Sequence, residues 1–166
     1  DAALTLTTGG ASRALEYGKD MVIWTKRVKE QESIKGSELV FVGYGITAPE
    51  FDWDDYAGVD MRGKTAVILV NDPGFATQDP NLFRGRTMTY YGRWTYKYEE
   101  AARQGAAGAI IVHETEPAAY GWDTVANSWT GPQLDMQTRD GNAGRVAIEG
   151  WITQSQAEQL FAANGG

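Results

Sequence analysis

The chain has 166 residues, with 15 Lys and Arg against 22 Asp and Glu for a formal net charge of −7; this is one domain's worth of chain, and its charge argues against a nucleic-acid partner, which needs clustered cations to displace counterions. A hydrophobic content of 42%, with 11% aromatic residues, supplies enough apolar surface for a packed core and excludes disorder as the default state. The absence of cysteine excludes disulfides and thiolate chemistry, and the single histidine, His113, excludes a two-His zinc site and allows a Ser-His-Asp triad only around itself.

Short apolar runs separated by glycines predict many short strands. Leu4–Thr7 alternates and is broken by Thr8-Gly9-Gly10, and Met21–Val28 is a second β-rich run closed by Gly36. Glu38–Gly43, Thr65–Asn71 and Ala109–His113 are apolar nearly throughout, as expected of strands covered on both faces of a layered sheet. Asn71-Asp72-Pro73-Gly74 and Asp79-Pro80-Asn81 predict turns. From Arg93 to Gln104, Trp94, Tyr98, Ala101 and Ala102 share one helical face, while Lys97, Glu100, Arg103 and Gln104 lie largely elsewhere, and Gly105 ends the helix. Pro117–Gly144 carries Gly121, Gly131, Pro132, Gly141 and Gly144 and reads as a long surface loop, of the kind that often has a function. Arg145–Ile152 predicts a closing strand, followed by a helix near Ser155–Ala163 that begins at Thr153 or Ser155, with Gln156 or Glu158 as capping-box partner.

The longest apolar stretches, Thr65–Val70 and Gly105–Val112, fall well short of the roughly 20 residues of a membrane-spanning helix, so no membrane partner is expected. The first residues lack the basic-then-apolar pattern of a signal peptide.

Among the constellations that could carry chemistry, Gly43-Tyr-Gly45-Ile-Thr-Ala48 has the glycine spacing of a dinucleotide loop. It is followed by Pro49-Glu50-Phe51-Asp52-Trp53-Asp54-Asp55-Tyr56, an acidic segment that repels phosphate, and the glycines read as a sharp turn after a strand. Asp52, Asp54, Asp55 and Asp60 miss the calcium-loop spacing, with Tyr56 and Gly63 where ligands belong, and read as a solvated turn. His113, followed by Glu114 and Glu116, has no nucleophile elbow to serve and reads as a hydrogen-bonding residue at a strand end. The aromatic clusters are the stronger signal. Met88–Tyr98 packs five aromatics, one Arg and one Lys into eleven residues, and Tyr120-Gly121-Trp122 and Ser128-Trp129-Thr130 repeat the theme. These residue types dominate binding hot spots because they bury large area and keep a polar handle. Both an interface and a core role are open for them; Tyr90, Tyr91, Arg93, Trp94, Trp122 and Trp129 are the candidate interaction surface.

Three blocks in order, Glu38-Leu-Val-Phe-Val-Gly-Tyr-Gly-Ile46, Asp55-Tyr-Ala-Gly-Val-Asp-Met-Arg-Gly-Lys-Thr-Ala-Val-Ile-Leu-Val70 and Lys97-Tyr-Glu-Glu-Ala-Ala-Arg-Gln-Gly-Ala-Ala-Gly-Ala-Ile-Ile-Val112, resemble a protease-associated (PA) domain. The version with Thr89-Tyr-Tyr-Gly-Arg-Trp-Thr-Tyr-Lys97 before the helix resembles the PA domain inserted in bacterial zinc aminopeptidases of metallopeptidase family 28. The resemblance covers residues 37–163 as the PA core, with 1–36 as leading strands of one domain spanning 1–166. It implies a mixed α/β, swivelling β/β/α fold with a barrel-like β core and about two flanking helices. It further implies a non-catalytic domain of a larger periplasmic or extracellular aminopeptidase, with no cofactor of its own and zinc held by a separate catalytic domain. The implied partners are that catalytic domain and peptide or protein substrate, with the Tyr90–Trp94 and Tyr120–Trp129 loops limiting substrate access. Two other readings stay open: a purely structural spacer, and a self-contained carboxylate hydrolase using Asp52, Asp54 or Glu114.

Overall fold

A computed structural model describes residues 2–136 and 138–165. In chain order it holds β1 (Leu4–Thr8), β2 (Ala11–Leu15), β3 (Met21–Trp24), β4 (Leu39–Phe41), β5 (Thr47–Ala48), a 3₁₀ turn (Pro49–Phe51) and β6 (Trp53–Asp54). These are followed by β7 (Thr65–Leu69), α1 (Pro73–Thr77), a second 3₁₀ turn (Tyr90–Gly92), α2 (Trp94–Arg103), β8 (Gly108–His113), α3 (Thr115–Ala118), α4 (Trp122–Ser128), β9 (Ile148–Thr153) and α5 (Gln154–Ala162).

The fold is mixed α/β. Five strands are hydrogen-bonded in the order β3-β9-β8-β7-β4, and two further two-stranded sheets are formed by β1-β2 and β5-β6. Strands β4, β7, β8 and β9 run parallel, with Ala66 opposite Ala109 and Ile110 opposite Gly150. Strand β3 closes the order antiparallel to β9, with Met21 opposite Ile152. The period of two along β7 divides the core. Ala66 and Ile68 face one side with Tyr98, Ala101, Ile111 and Trp151, and Val67 faces the other with Leu6, Leu15, Ile110, Ile152 and Ala157. Helix α2 therefore covers one face, while the β1-β2 hairpin and α5 cover the other. A third cluster, Ile46, Ala48, Phe83 and Tyr96, packs beneath the β5-β6 sheet.

The predicted strands at β7, β8 and β9, and the helices α2 and α5, are present with ends shifted by a few residues. Thr153 caps α5 by accepting from the Gln156 N–H, while the Gln156 amide donates to Asp20 rather than completing a capping box. Four expectations are corrected. Strand β4 is short and half-covered, with Phe41 49% exposed, because it has a single neighbour at the end of the hydrogen-bonded order. The Asn71–Gly74 turn opens into α1, capped by Asp72 and started by Pro73 at a position where the missing N–H costs nothing. Pro117–Gly144 is not loop throughout, since it contains α4 and the end of α3. On α2, Lys97 and Glu100 are buried rather than turned to solvent.

Strand β9 approaches β3 so closely that Gly150 has no room for a side chain: an added Cβ would stand 2.6 Å from both the Val22 carbonyl oxygen and the Ile23 Cγ2. Gly150→Ala is expected to lower stability by about 2 kcal/mol or more, read as a lower urea midpoint at unchanged slope.

Candidate functional site

Two structures are candidates for a site, one of them at the carboxyl ends of the parallel strands β4 and β7, where open α/β sheets place their sites. The first is a buried lysine. Lys97 projects from α2 with 0% exposure, and its Nζ donates to the carbonyl oxygens of Tyr44, 2.6 Å away, and Asn71, 2.7 Å away. These carbonyls follow β4 and β7. Asn71 is left-handed at φ +70, a conformation Asn tolerates better than most residues. Its side chain donates to the Pro117 carbonyl and accepts from the Asp72 N–H. Asp72 in turn accepts from the N–H and hydroxyl of Thr89, at 3.0 and 2.7 Å, so the aromatic segment after Met88 is clipped to the end of β7. Burial draws the Lys97 pKa down to about 7, against the opposing charges of Asp72 and Asp55.

The second structure is an apolar cleft of about 220 Å³ lined by Trp94, Tyr120, Thr124, Val125, Ser128, Trp129 and Trp151. Its walls come from the start of α2, the α3-α4 connection, α4 and β9. Trp129 stacks on Trp24 with ring centroids 3.5 Å apart and 8° between planes, and Trp94 meets Trp129 edge-on at 5.8 Å. The stack is anchored from behind: the Trp24 indole donates to Glu149, which also accepts from Arg145. The Tyr17 hydroxyl donates to the Trp129 carbonyl, and the Trp122 indole donates to the Gly18 carbonyl, fixing α4 to the turn before β3.

The six candidate surface residues are thus divided. Trp94 and Trp129 come together in the cleft. Trp122 does not line it; the indole is half-buried beside His113 with its N–H already used. Tyr91 packs among Phe51, Phe83 and Tyr96 and donates to Glu50. Tyr90 is 57% exposed and donates to Glu99. Arg93 is exposed at the start of α2. Tyr120 lay in a cluster singled out by aromatic density, but Trp24 and Trp151 sit within strand patterns, and nothing local marks them as cleft or support residues.

His113 ends β8 buried, with Nε2 3.0 Å from the Tyr120 carbonyl, as a strand-end hydrogen-bonding residue, and burial lowers its pKa. Asp52 and Asp54 are exposed on the β5-β6 sheet, where Asp54 accepts from the Tyr56 N–H. Glu114 is half-buried, which raises its pKa. Among the described residues, no group of three His, Cys, Asp or Glu side chains could hold a metal ion, and no helix is long and apolar enough to cross a membrane.

No protein-family model matches the chain, and no curated protein matches it. Among solved structures the chain is similar to an aminopeptidase from Aneurinibacillus sp. strain AM-1, at 26% sequence identity and a TM-score of 0.47, over 99% of this chain and 27% of that one. The chain spans about a quarter of that aminopeptidase's length.

The depressed Lys97 pKa fixes a pH dependence. Between pH 7 and 10.5 the unfolded chain binds the proton that the folded chain releases, so stability rises with pH across this window. The tyrosines with raised pKa values act oppositely, but only above about 10, and His113 acts below its ordinary value. The stability difference between the wild-type chain and Lys97→Met is expected to grow by up to about 3 kcal/mol from pH 7 to 9.5, measured by urea unfolding at each pH.

Proposed function

We propose that this chain is a non-catalytic protease-associated domain of a zinc-dependent aminopeptidase, binding peptide or protein segments and gating their access to a separate catalytic domain. Its sequence blocks resemble that family in order and spacing. The chain's own donor set, one histidine and no cysteine, does not suit a zinc site, so in this reading zinc belongs to the catalytic domain, and the parent is a periplasmic or extracellular protein. The observation that carries the reading is the tryptophan-lined cleft. It is concave, apolar and braced from behind by the Trp24–Trp129 stack and the Glu149–Arg145 pair, as a preformed site for a partner's side chain requires.

Heteronuclear NMR of the chain titrated with short peptides, and separately with the catalytic domain, tests it. Shifts are expected at Trp94, Tyr120 and Trp129. Silence toward both would leave a structural spacer as the better account. In the longer enzyme, Arg93→Ala is expected to change the ranking of peptide substrates by kcat/KM; an unchanged ranking would count against gating.

A further inference from the structure

Resting on the peptide-binding reading, we propose that the cleft selects an acidic segment: a large apolar side chain, Phe or Leu, enters the cleft against the joined rings of Trp94 and Trp129, and the carboxylate of a neighbouring Asp or Glu is held by Arg93. Size sets the first half of this inference. At about 220 Å³ the cleft is smaller than the roughly 300–1,000 Å³ of small-molecule sites, and suits one side chain rather than a whole cofactor or metabolite.

Charge sets the second half. The chain carries a net charge of −7, yet no lining residue of the cleft is acidic. Arg93 immediately precedes the lining residue Trp94 at the start of α2 and is exposed. The other cations of this region are engaged. Lys26, 5.7 Å over the Trp129 ring, is paired with Asp135 at 3.2 Å, and Arg145 is paired with Glu149. Among the described residues the Arg93 guanidinium makes no ion pair or hydrogen bond, and neither does the Tyr120 hydroxyl. An exposed cation next in sequence to one lining residue, and a phenol on another, thus accompany an apolar slot, an arrangement that complements a carboxylate beside a large side chain. A lysine-rich segment would instead meet Arg93 with like charge.

The test uses the 166-residue chain and capped peptides, so that no terminal charge contributes. Acetyl-Gly-Phe-Asp-Gly-amide is expected to shift the Trp94 and Trp129 indole resonances. The Phe-Asn analogue should bind about fivefold more weakly, and the Ala-Asp analogue should not bind measurably. Arg93→Gln should bring the Phe-Asp and Phe-Asn peptides to equal affinity. Ser128→Trp, which fills the cleft from an exposed position, should abolish binding while the β7 and β8 amide resonances stay in place. Equal binding of the Asp and Asn peptides by the wild-type chain would overturn the acidic selectivity but leave a peptide-binding domain. Absence of any shift with every peptide would overturn both.

Discussion

An ammonium group taken wholly out of water is costly unless its surroundings supply what water did, and the arrangement around Lys97 follows from that requirement. Two carbonyls from separate strand ends point at it, and Asp55 and Asp72 offset its charge. To aim those carbonyls, the chain turns sharply after β4 and β7, with positive φ at Gly43, Gly45 and Asn71. The same contact fixes the rotation of α2 about its axis. With Lys97 pointing into the sheet end, Tyr98 is turned into the core, where its hydroxyl donates to the Gly150 carbonyl. Trp94, one turn earlier, then falls at the mouth of the cleft.

The connection from β7 to α2 is long and largely irregular, and it is held by a few polar clips rather than by regular structure. Asp72 joins the start of α1 to Thr89, and Asn71 receives Gly92 against its backbone, with an added Cβ there only 2.7 Å from Met88 Cγ. The aromatics between these clips then sort by depth. Tyr91 fills the cluster under the β5-β6 sheet, and Tyr90 and Arg93 remain outside. One dense aromatic run therefore serves both core and surface.

Much of the architecture was legible because burial on both faces leaves continuous apolar runs, as in Thr65–Leu69 and Gly108–His113, every residue of the latter being buried. The α2 stripe of Tyr98 and Ala101 was legible for the same reason. Lys97 and Glu100 were not, since periodicity assigns charge to solvent, and what pays for their burial comes from distant carbonyls in one case and from Arg103 and Gln104 in the other. Helix α4 was hidden by its short length and by flanking Gly121 and Gly131, and its anchors, Gly18 and the packing of Val125, are remote in sequence. Half of the cleft was visible as aromatic density around Trp94 and Trp129; Trp151 and the supporting Trp24 read as ordinary strand residues until the sheet order brought them together.

The pairing of β3 with β9 has a consequence for the order of assembly. Met21 finds its partner at Ile152, so the central sheet lacks β9, and β3 lacks its partner, until residue 152 has been synthesised. Contacts of such sequence separation are slow to close. The aromatic slot, whose parts come from residues 24, 94, 120, 129 and 151, therefore has nowhere to seat a guest side chain until β9 has joined the sheet.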